Sequence, residues 1–191
     1  AAALAEIHWG AGRPYRDLLY LNIGTGISTC WVKDRAPHAG ANGHALAIAS
    51  SPMVQTCPGC LAQSAYVLED VAGGAALAAI YARVLGRPVA SAGEVLSAAA
   101  AGEPAAARVI AEAAQALGVT LGIALNMLDP EALIIGGGLG SRDGPYWDAM
   151  VKVIRRQVWS DSTRRLPILR AERGGDAGLV GAAATAWLAR A

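Results

Sequence analysis

Residues 17–32 read DLLYLNIGTGISTCWV, and this stretch decides the fold class. Two runs rich in aliphatic, β-branched and aromatic residues, 17–23 and 27–32, flank the short segment Gly24-Thr25-Gly26. The pattern predicts two antiparallel strands joined by a tight turn. Glycines let a ligand approach the backbone closely, turn N–H groups can point at phosphate oxygens, and Thr25 adds a hydroxyl donor. An ordinary tight turn would use the same residues, so both interpretations stay open.

A second glycine segment follows a short apolar run late in the chain. Residues 131–135 (EALII) predict a buried strand that runs into Gly136-Gly137-Gly138-Leu139-Gly140, and a helix is predicted over 145–158. The order strand, glycine segment, helix favours nucleotide binding, because backbone without side chains can lie against a base or phosphate. The spacing is not that of the dinucleotide fingerprint G-x-G-x-x-G. A helix start packed closely on a strand is the structural alternative.

The remaining periodicity predicts mainly helices. They span residues 60–72, 74–85, 92–101, 104–126 and 179–190, with one further strand at 166–171. Residues 36–60 predict mostly loop, and Glu69 and Asp70 are expected at the surface near a helix end. A hairpin followed by helices and then by strand–helix–strand–helix is typical of an α/β fold.

Composition excludes several classes of protein. The 191 residues are 54% apolar and 16% charged, with a net charge of +1, which excludes dominant disorder and a strongly basic nucleic-acid-binding surface. Three cysteines are too few for a disulfide scaffold. The chain opens on no signal peptide, and the apolar stretch 119–128 is too short to span a bilayer. We therefore predict a cytoplasmic protein with no membrane or nucleic-acid partner for this chain.

Together the two glycine segments resemble those of the ROK family of bacterial repressors, open reading frames and sugar kinases. Further segments in the same order carry the resemblance: 3–6 (ALAE), 9–10 (WG), 40–43 (GANG), 59–61 (GCL), 128–135 (LDPEALII) and 181–183 (GAA). The resemblance implies the actin-like, ribonuclease-H-like ATPase fold. Residues 1–191 would be its C-terminal large domain, with the N-terminal domain outside this chain.

The resemblance also implies the roles of the glycine segments. Gly24, Thr25 and Gly26 would form the second phosphate loop, and Gly136, Gly137 and Gly138 would pack against the adenosine of ATP, which is bound with Mg²⁺. In family members an Asp in an Asn-Asp pair, just ahead of the first helix, deprotonates the sugar hydroxyl. That Asp would precede Ala1, so the chain is expected to be a fragment that is inactive alone.

The family's sugar motif is altered in this sequence. Relatives carry a Glu and a His after the Gly-x-x-Gly segment, and these side chains hold sugar hydroxyls. When the chain is aligned on 40–43, Ala47 and Ser50 occupy those positions. Asn42 and Gly43 remain as candidate substrate-binding residues, and the sugar itself, a hexose, cannot be specified.

The family's zinc motif is altered as well. When the chain is aligned on Gly59-Cys60, two of the other cysteine positions hold Met53 and Gln55. His38, His44, Cys57 and Cys60 would supply an alternative Cys₂His₂ set, with Cys57 and Cys60 at C-x-x-C spacing. Two loop thiols and two solvent histidines are the alternative interpretation.

The leading functional hypothesis is a glucokinase-like ROK sugar kinase domain that phosphorylates a hexose with ATP. A sugar-responsive transcriptional repressor, or an inactive homologue, is the alternative, because Ala47 and Ser50 suit a protein that binds sugar without phosphorylating it. Family members are commonly oligomeric, so we expect a homodimer.

Overall fold

The computed structural model describes residues 1–56 and 59–188, with the side chains of Gln55 and Leu188 excepted. The strands are β1 (Leu18–Ile23), β2 (Ile27–Lys33), β3 (Ala36–Pro37), β4 (Pro52–Thr56), β5 (Gln63–Val67), β6 (Ala132–Gly136) and β7 (Ile168–Arg170). The helices are α1 (Ala2–Trp9), α2 (Glu69–Ala72), α3 (Gly74–Leu85), α4 (Ala92–Ala100), α5 (Pro104–Leu128), α6 (Pro145–Gln157), α7 (Asp161–Arg164) and α8 (Ala177–Leu188). A single 3₁₀ turn, Gly174–Asp176, precedes α8.

Five strands form the central sheet in the order β3-β2-β1-β6-β7. β1 pairs antiparallel with β2 and parallel with β6, and β6 pairs parallel with β7. The hairpin, the buried late strand and the α/β class predicted from sequence are therefore confirmed. The parallel pairing of β1 with β6 brings the carboxyl ends of these two strands to the same edge of the sheet.

Helices cover both faces of this sheet. Leu19, Leu21 and Ile23 of β1 point to the larger apolar cluster, which contains the buried faces of α5 and α6. Leu18 and Tyr20 point to a smaller cluster with α1 and α8. Alternate residues of β1 thus serve two different cores, which explains why the strand is almost continuously apolar.

Helix α5 forms the centre of the larger core. The Glu103 carboxylate accepts hydrogen bonds from the N–H groups of Ala105 and Ala106, which caps the first turn. At 25 residues the helix is long and apolar enough to cross a membrane, but 61% of its most apolar stretch is buried inside the protein. The helix extends well beyond the apolar stretch 119–128 noted in the sequence, and it packs as a core helix.

One predicted helix is wrong. Residues 60–72 contain strand β5, Gln63–Val67, and only the short helix α2, Glu69–Ala72. β5 pairs with β4 in an antiparallel ribbon, from Pro52 opposite Val67 to Thr56 opposite Gln63. The backbone N–H and C=O groups of β5 therefore form hydrogen bonds with β4, and not within a helix. The predicted loop over 36–60 likewise contains β3 and β4.

Candidate functional site

The two glycine segments meet at the carboxyl edge of the sheet, although Gly136 itself is buried as the last residue of β6. The N–H groups of Leu139 and Gly140 both donate to the carbonyl of Ile23, at 3.0 Å each. The bend after β6 is thereby hydrogen-bonded to the last residue of β1. Two segments more than a hundred positions apart in sequence form one structural unit.

Glycine is required at Gly137 for two reasons. Its φ of +87° lies in the left-handed region that other residues rarely adopt. A Cβ there would lie 2.3 Å from the Ile23 carbonyl oxygen. At Gly138, by contrast, a Cβ would meet nothing within 4 Å, because this position faces open space.

The start of α3 is hydrogen-bonded to the hairpin turn. The N–H groups of Gly74 and Ala75 donate to the carbonyls of Gly24 and Thr25, at 2.9 and 3.0 Å. A Cβ on Gly74 would lie 2.6 Å from the Gly24 oxygen, so this close approach depends on glycine. The carbonyls of the turn therefore face the protein.

Glu69 supports the same turn, contrary to its predicted surface role. Its carboxylate accepts the N–H of Ile27 at 2.8 Å and fills the space that a Cβ on Gly26 would need, 2.3 Å from Glu69 Oε2. Glu69 also begins α2 rather than ending a helix, whereas Asp70 is exposed as expected. Sequence patterning could not reveal this pairing, because the two segments are separated by forty residues.

The N–H groups of Thr25 and Gly26 donate no hydrogen bond to any residue that the structure describes. Thr25 is exposed, and its hydroxyl is likewise free of partners among the described residues. Turn N–H groups that are not used internally can bind anions such as phosphate oxygens.

The two bends line one groove, which consists of two adjoining cavities that share Gly24 and Gly138; we call it the glycine groove. The first half has a volume of about 490 Å³ and extends past Thr25 to Ser91, Gly93 and Arg142. The second half, of about 600 Å³, extends to Asn22, Ser28 and Ser141 and to the residues around Gly174. The groove thus runs across the carboxyl ends of β1 and β6.

The second half of the groove offers a few polar side chains but, among the described residues, no acidic or basic one. Its side-chain donors and acceptors are Asn22, Ser28 and Ser141, and none of its lining residues in the described chain is Asp, Glu or His. Ala1 and Ala2, at the start of α1, form part of its wall.

A buried carboxylate fixes α1 beside this half. Glu6 is fully buried and accepts the N–H groups of Ala11, Glu172 and Arg173 at 2.9, 3.1 and 2.7 Å. A Cβ on Gly10 would lie 2.0 Å from Glu6 Oε2, so the chain after α1 needs glycine there. Glu6 therefore ties the first helix to the loop that leads into Gly174. Local sequence patterning does not reveal this role of Glu6, although the two glycines that follow it, at positions 10 and 12, are a signal.

Arg142 was also missed in the sequence. It follows the glycine segment, lies exposed at the far end of the first half of the groove, and is the cation among its lining residues.

The candidate sugar-binding residues do not line the glycine groove. Asn42, Gly43, Ala47 and Ser50 are all exposed in the loop between β3 and β4. Ala47 instead borders a separate, mostly apolar cavity of about 720 Å³ between this loop and α5. The roles of Asn42 and Gly43 stay predictions.

The candidate zinc ligands are only partly described. His38 stacks edge-on against Trp31 at 4.6 Å between ring centroids, and His44 and Cys60 are exposed. No group of three or more His, Cys, Asp or Glu suited to a metal occurs within residues 1–56 and 59–188. Cys57 lies outside the described residues, so the four-ligand set stays a prediction.

The sequence profile of the ROK family matches residues 1–189 of this chain. The chain belongs to the ROK family. A curated relative, the bifunctional enzyme NanE/NanK of Brucella melitensis, is 35% identical over an alignment of 192 positions that covers 96% of this chain. The match covers 33% of that relative, so the chain spans about a third of its length.

Solved ROK structures have the same fold. The ROK hexokinase from Thermus thermophilus is 32% identical, with a TM-score of 0.81 over 96% of this chain and 62% of its own. A ROK family glucokinase from Streptomyces griseus, solved in complex with glucose and AMPPNP, is 27% identical, with a TM-score of 0.76 over 96% of this chain and 64% of its own. The actin-like ATPase fold expected from the resemblance is confirmed.

Proposed function

We propose that this ROK chain binds ATP in the glycine groove and forms the nucleotide-binding part of a sugar kinase. One observation carries the proposal: the two glycine bends, on adjacent strands, line a single groove, and the N–H groups of Thr25, in its wall, and of the adjacent Gly26 have no partner among the described residues. The similarity to a ROK glucokinase solved with AMPPNP supports the same nucleotide class.

In this proposal each bend has its own task. Thr25 and Gly26 donate N–H groups, and Thr25 its hydroxyl, to the phosphates, while the bare backbone of Gly137 and Gly138 lies against the adenosine. Gly136, which the family resemblance adds to this segment, is buried in β6 and lines neither half of the groove. Phosphoryl transfer depends mostly on positioning and charge neutralisation, and Mg²⁺ supplies the latter on the phosphate oxygens. No carboxylate lines the groove among the described residues, so this chain would hold the metal only through the nucleotide.

The general base of the proposed reaction would come from outside residues 1–191. The second half of the groove contains no Asp, Glu or His among its described lining residues, yet Ala1 and Ala2 form part of its wall. A residue just ahead of Ala1 would stand at this half of the groove, where the sugar hydroxyl would approach the γ-phosphate.

A sugar-responsive repressor is the second candidate. Ala47 and Ser50, which offer no carboxylate or imidazole at the positions usual for sugar contacts, favour it. The sequence upstream of Ala1 distinguishes the two: a helix-turn-helix would favour the repressor, whereas an Asn-Asp pair directly before Ala1 would favour the kinase.

Nucleotide binding is tested by filling the groove. Gly138→Leu adds a side chain in open space on the groove wall, so we expect the fold to survive and the affinity for ADP and AMPPNP to fall at least tenfold. Ala111→Leu, on the exposed side of α5, is the matched control and should leave binding unchanged. Calorimetric titration that shows equal, tight binding to both variants would refute the site.

Kinase activity is tested with a coupled ADP-release assay over glucose, mannose and N-acetylmannosamine. We expect turnover only from protein that includes the sequence upstream of Ala1. Sugar-dependent ADP formation by residues 1–191 alone would contradict the proposed position of the base. No turnover with any sugar from the longer protein, together with tight sugar binding, would favour the repressor.

We further propose a cytoplasmic homodimer. Val54, Ile123 and Met127 are exposed apolar residues around the apolar cavity of about 720 Å³ that lies between α5 and the loop before β4. Exposed apolar patches of this kind often mark contacts between subunits. Sedimentation equilibrium should give twice the chain mass, and a monomer at micromolar concentration would contradict the proposal.

A further inference from the structure

The first half of the glycine groove continues beyond the residues to which the family resemblance gave a role. From Gly24 and Gly138 it extends to Ser91-Ala92-Gly93, at the start of α4, and to Arg142, in the loop after β6. Its volume of about 490 Å³ exceeds what a phosphate needs and is in the range of small-molecule sites.

The start of α4 lies close to Arg142. A Cβ on Gly93 would lie 3.3 Å from Ser91 Oγ and 3.5 Å from Arg142 Nη1. Glycine at this position therefore leaves the guanidinium beside bare backbone, with a hydroxyl next to it. Arg142 is exposed and lines the cavity, so a planar ligand can approach the guanidinium from the side away from Gly93.

The charge of Arg142 is not used within the described chain. Its guanidinium forms no ion pair there, although the next residue, Asp143, pairs with Arg170 at 2.7 Å. Arg170 in turn stacks on Trp147, with its guanidinium carbon 3.9 Å from the ring centroid. This second arginine thus anchors the loop to α6, and Arg142 is left to line the groove.

We propose that Arg142 stacks on the purine of the bound nucleotide, while Ser91–Gly93 supports the guanidinium from its other side. The inference rests on the proposed function and deepens it, because it assigns the base-recognising side chain. A planar guanidinium stacks on an aromatic face, and a purine offers one. The phosphates would stay at Thr25 and Gly26, where the free N–H groups are.

The test compares a ligand that has a base with one that has none. Calorimetric titrations with ADP and with inorganic tripolyphosphate are run on the wild type, Arg142→Ala and Arg142→Lys. Stacking contacts of this kind contribute about 0.5–2 kcal/mol, so Arg142→Ala should weaken ADP binding about 3- to 30-fold. Tripolyphosphate affinity should not change. Arg142→Lys keeps the positive charge but lacks the planar guanidinium, so its ADP affinity should stay close to that of Arg142→Ala.

A control variant distinguishes a specific effect of Arg142 from the loss of any surface arginine. Arg83→Ala removes another exposed arginine, at the far end of α3, and should change neither affinity. Unchanged ADP binding by Arg142→Ala would overturn the inference. An equal loss for ADP and tripolyphosphate would also overturn it, because Arg142 would then contact phosphate. A wild type that binds no ADP would refute the proposed function itself and the inference with it.

Discussion

The carboxyl edge of the central sheet and the ribbon of β4 and β5 differ in what fixes their backbones. At the sheet edge, backbone atoms of distant segments touch each other: the Ile23 carbonyl accepts two N–H groups from the bend after β6. In the ribbon, the strands pair mainly with each other, and residues such as Val54 and Ser64 are exposed. A two-stranded hairpin of this kind contributes little stability by itself.

The difference explains which motifs are preserved in this chain. Where two backbone segments touch, there is no space for a Cβ, and only glycine fits. Glycines at such contacts cannot be replaced without moving the backbone. In the loop between β3 and β4 and in the ribbon, the resemblance instead predicts a function carried by side chains, and Ala47, Ser50 and Met53 stand at the positions expected to hold sugar and zinc ligands. The glycine bends are thus constrained by packing, whereas Ala47 and Ser50 are exposed and Met53 is half-buried.

The largest expected effect is on the free energy of unfolding, and it distinguishes two glycines that both have positive φ. Gly137→Ala places a Cβ 2.3 Å from the Ile23 oxygen, so we expect a loss of about 4 kcal/mol or more in the free energy of unfolding. Gly43→Ala, in the loop between β3 and β4, meets nothing within 4 Å and should cost only about 1–2 kcal/mol of backbone strain. Urea denaturation measures both, and equal losses would contradict the comparison.

The next effect concerns the buried carboxylate beside α1. Glu6→Gln replaces an oxygen acceptor by an amide that faces three N–H donors, so we expect a loss of about 3 kcal/mol. Glu112→Gln, at an exposed position of α5, should change the free energy of unfolding by less than about 0.5 kcal/mol. A Glu6→Gln protein as stable as this control would show that the three hydrogen bonds carry no stability.

A smaller effect is expected under the hairpin turn. Glu69→Ala leaves the Ile27 N–H without its partner and should destabilise the protein by about 2 kcal/mol. Because the turn is also loosened, ADP affinity should fall in the same variant. Asp70→Ala, the exposed neighbour, is the control, and thermal unfolding with an ADP titration distinguishes them. If both variants behave alike, Glu69 does not support the turn.

Much of this arrangement was readable from the sequence, and the missing part has a physical cause. Gly24–Gly26 and Gly136–Gly138 were identified because their glycines come at the ends of apolar strands and resemble segments of the ROK family. Glu6 and Glu69 were not, since the groups that they bind lie far away along the chain. Arg142 was not, because its neighbour Gly93 lies about fifty positions earlier. The helix predicted over 60–72 failed because pairing of β5 with β4 overrides local helical preference.

A change in the ribbon should have almost no effect on stability. Val54 is 67% exposed, so Val54→Ser should alter the free energy of unfolding by less than about 0.5 kcal/mol and leave ADP binding unchanged. A loss above about 2 kcal/mol, measured by urea denaturation, would mean that the ribbon contributes to the core after all.

The smallest effect is one of pH, at the start of α5. The hydrogen bond from the Tyr81 hydroxyl, followed by those from the N–H groups of Ala106 and Ala105, holds the pKa of Glu103 below its usual value. A lowered folded-state pKa stabilises the protein above the unfolded pKa of about 4.3, and this contribution disappears as pH falls through the folded value. In Glu103→Gln, the free energy of unfolding should therefore fall less steeply as the pH is lowered below about 4.3, as measured by urea denaturation at a series of pH values. An unchanged acid limb would contradict this.

The most direct test of the central claim is an amide ¹⁵N–¹H spectrum of the chain titrated with ADP. We predict the largest shifts at the amides of Thr25, Gly26, Gly137 and Gly138, and none beyond noise at the ribbon residues Met53 and Tyr66. Shifts concentrated in the ribbon, with the four glycine-bend amides unmoved, would show that the nucleotide does not bind in the glycine groove.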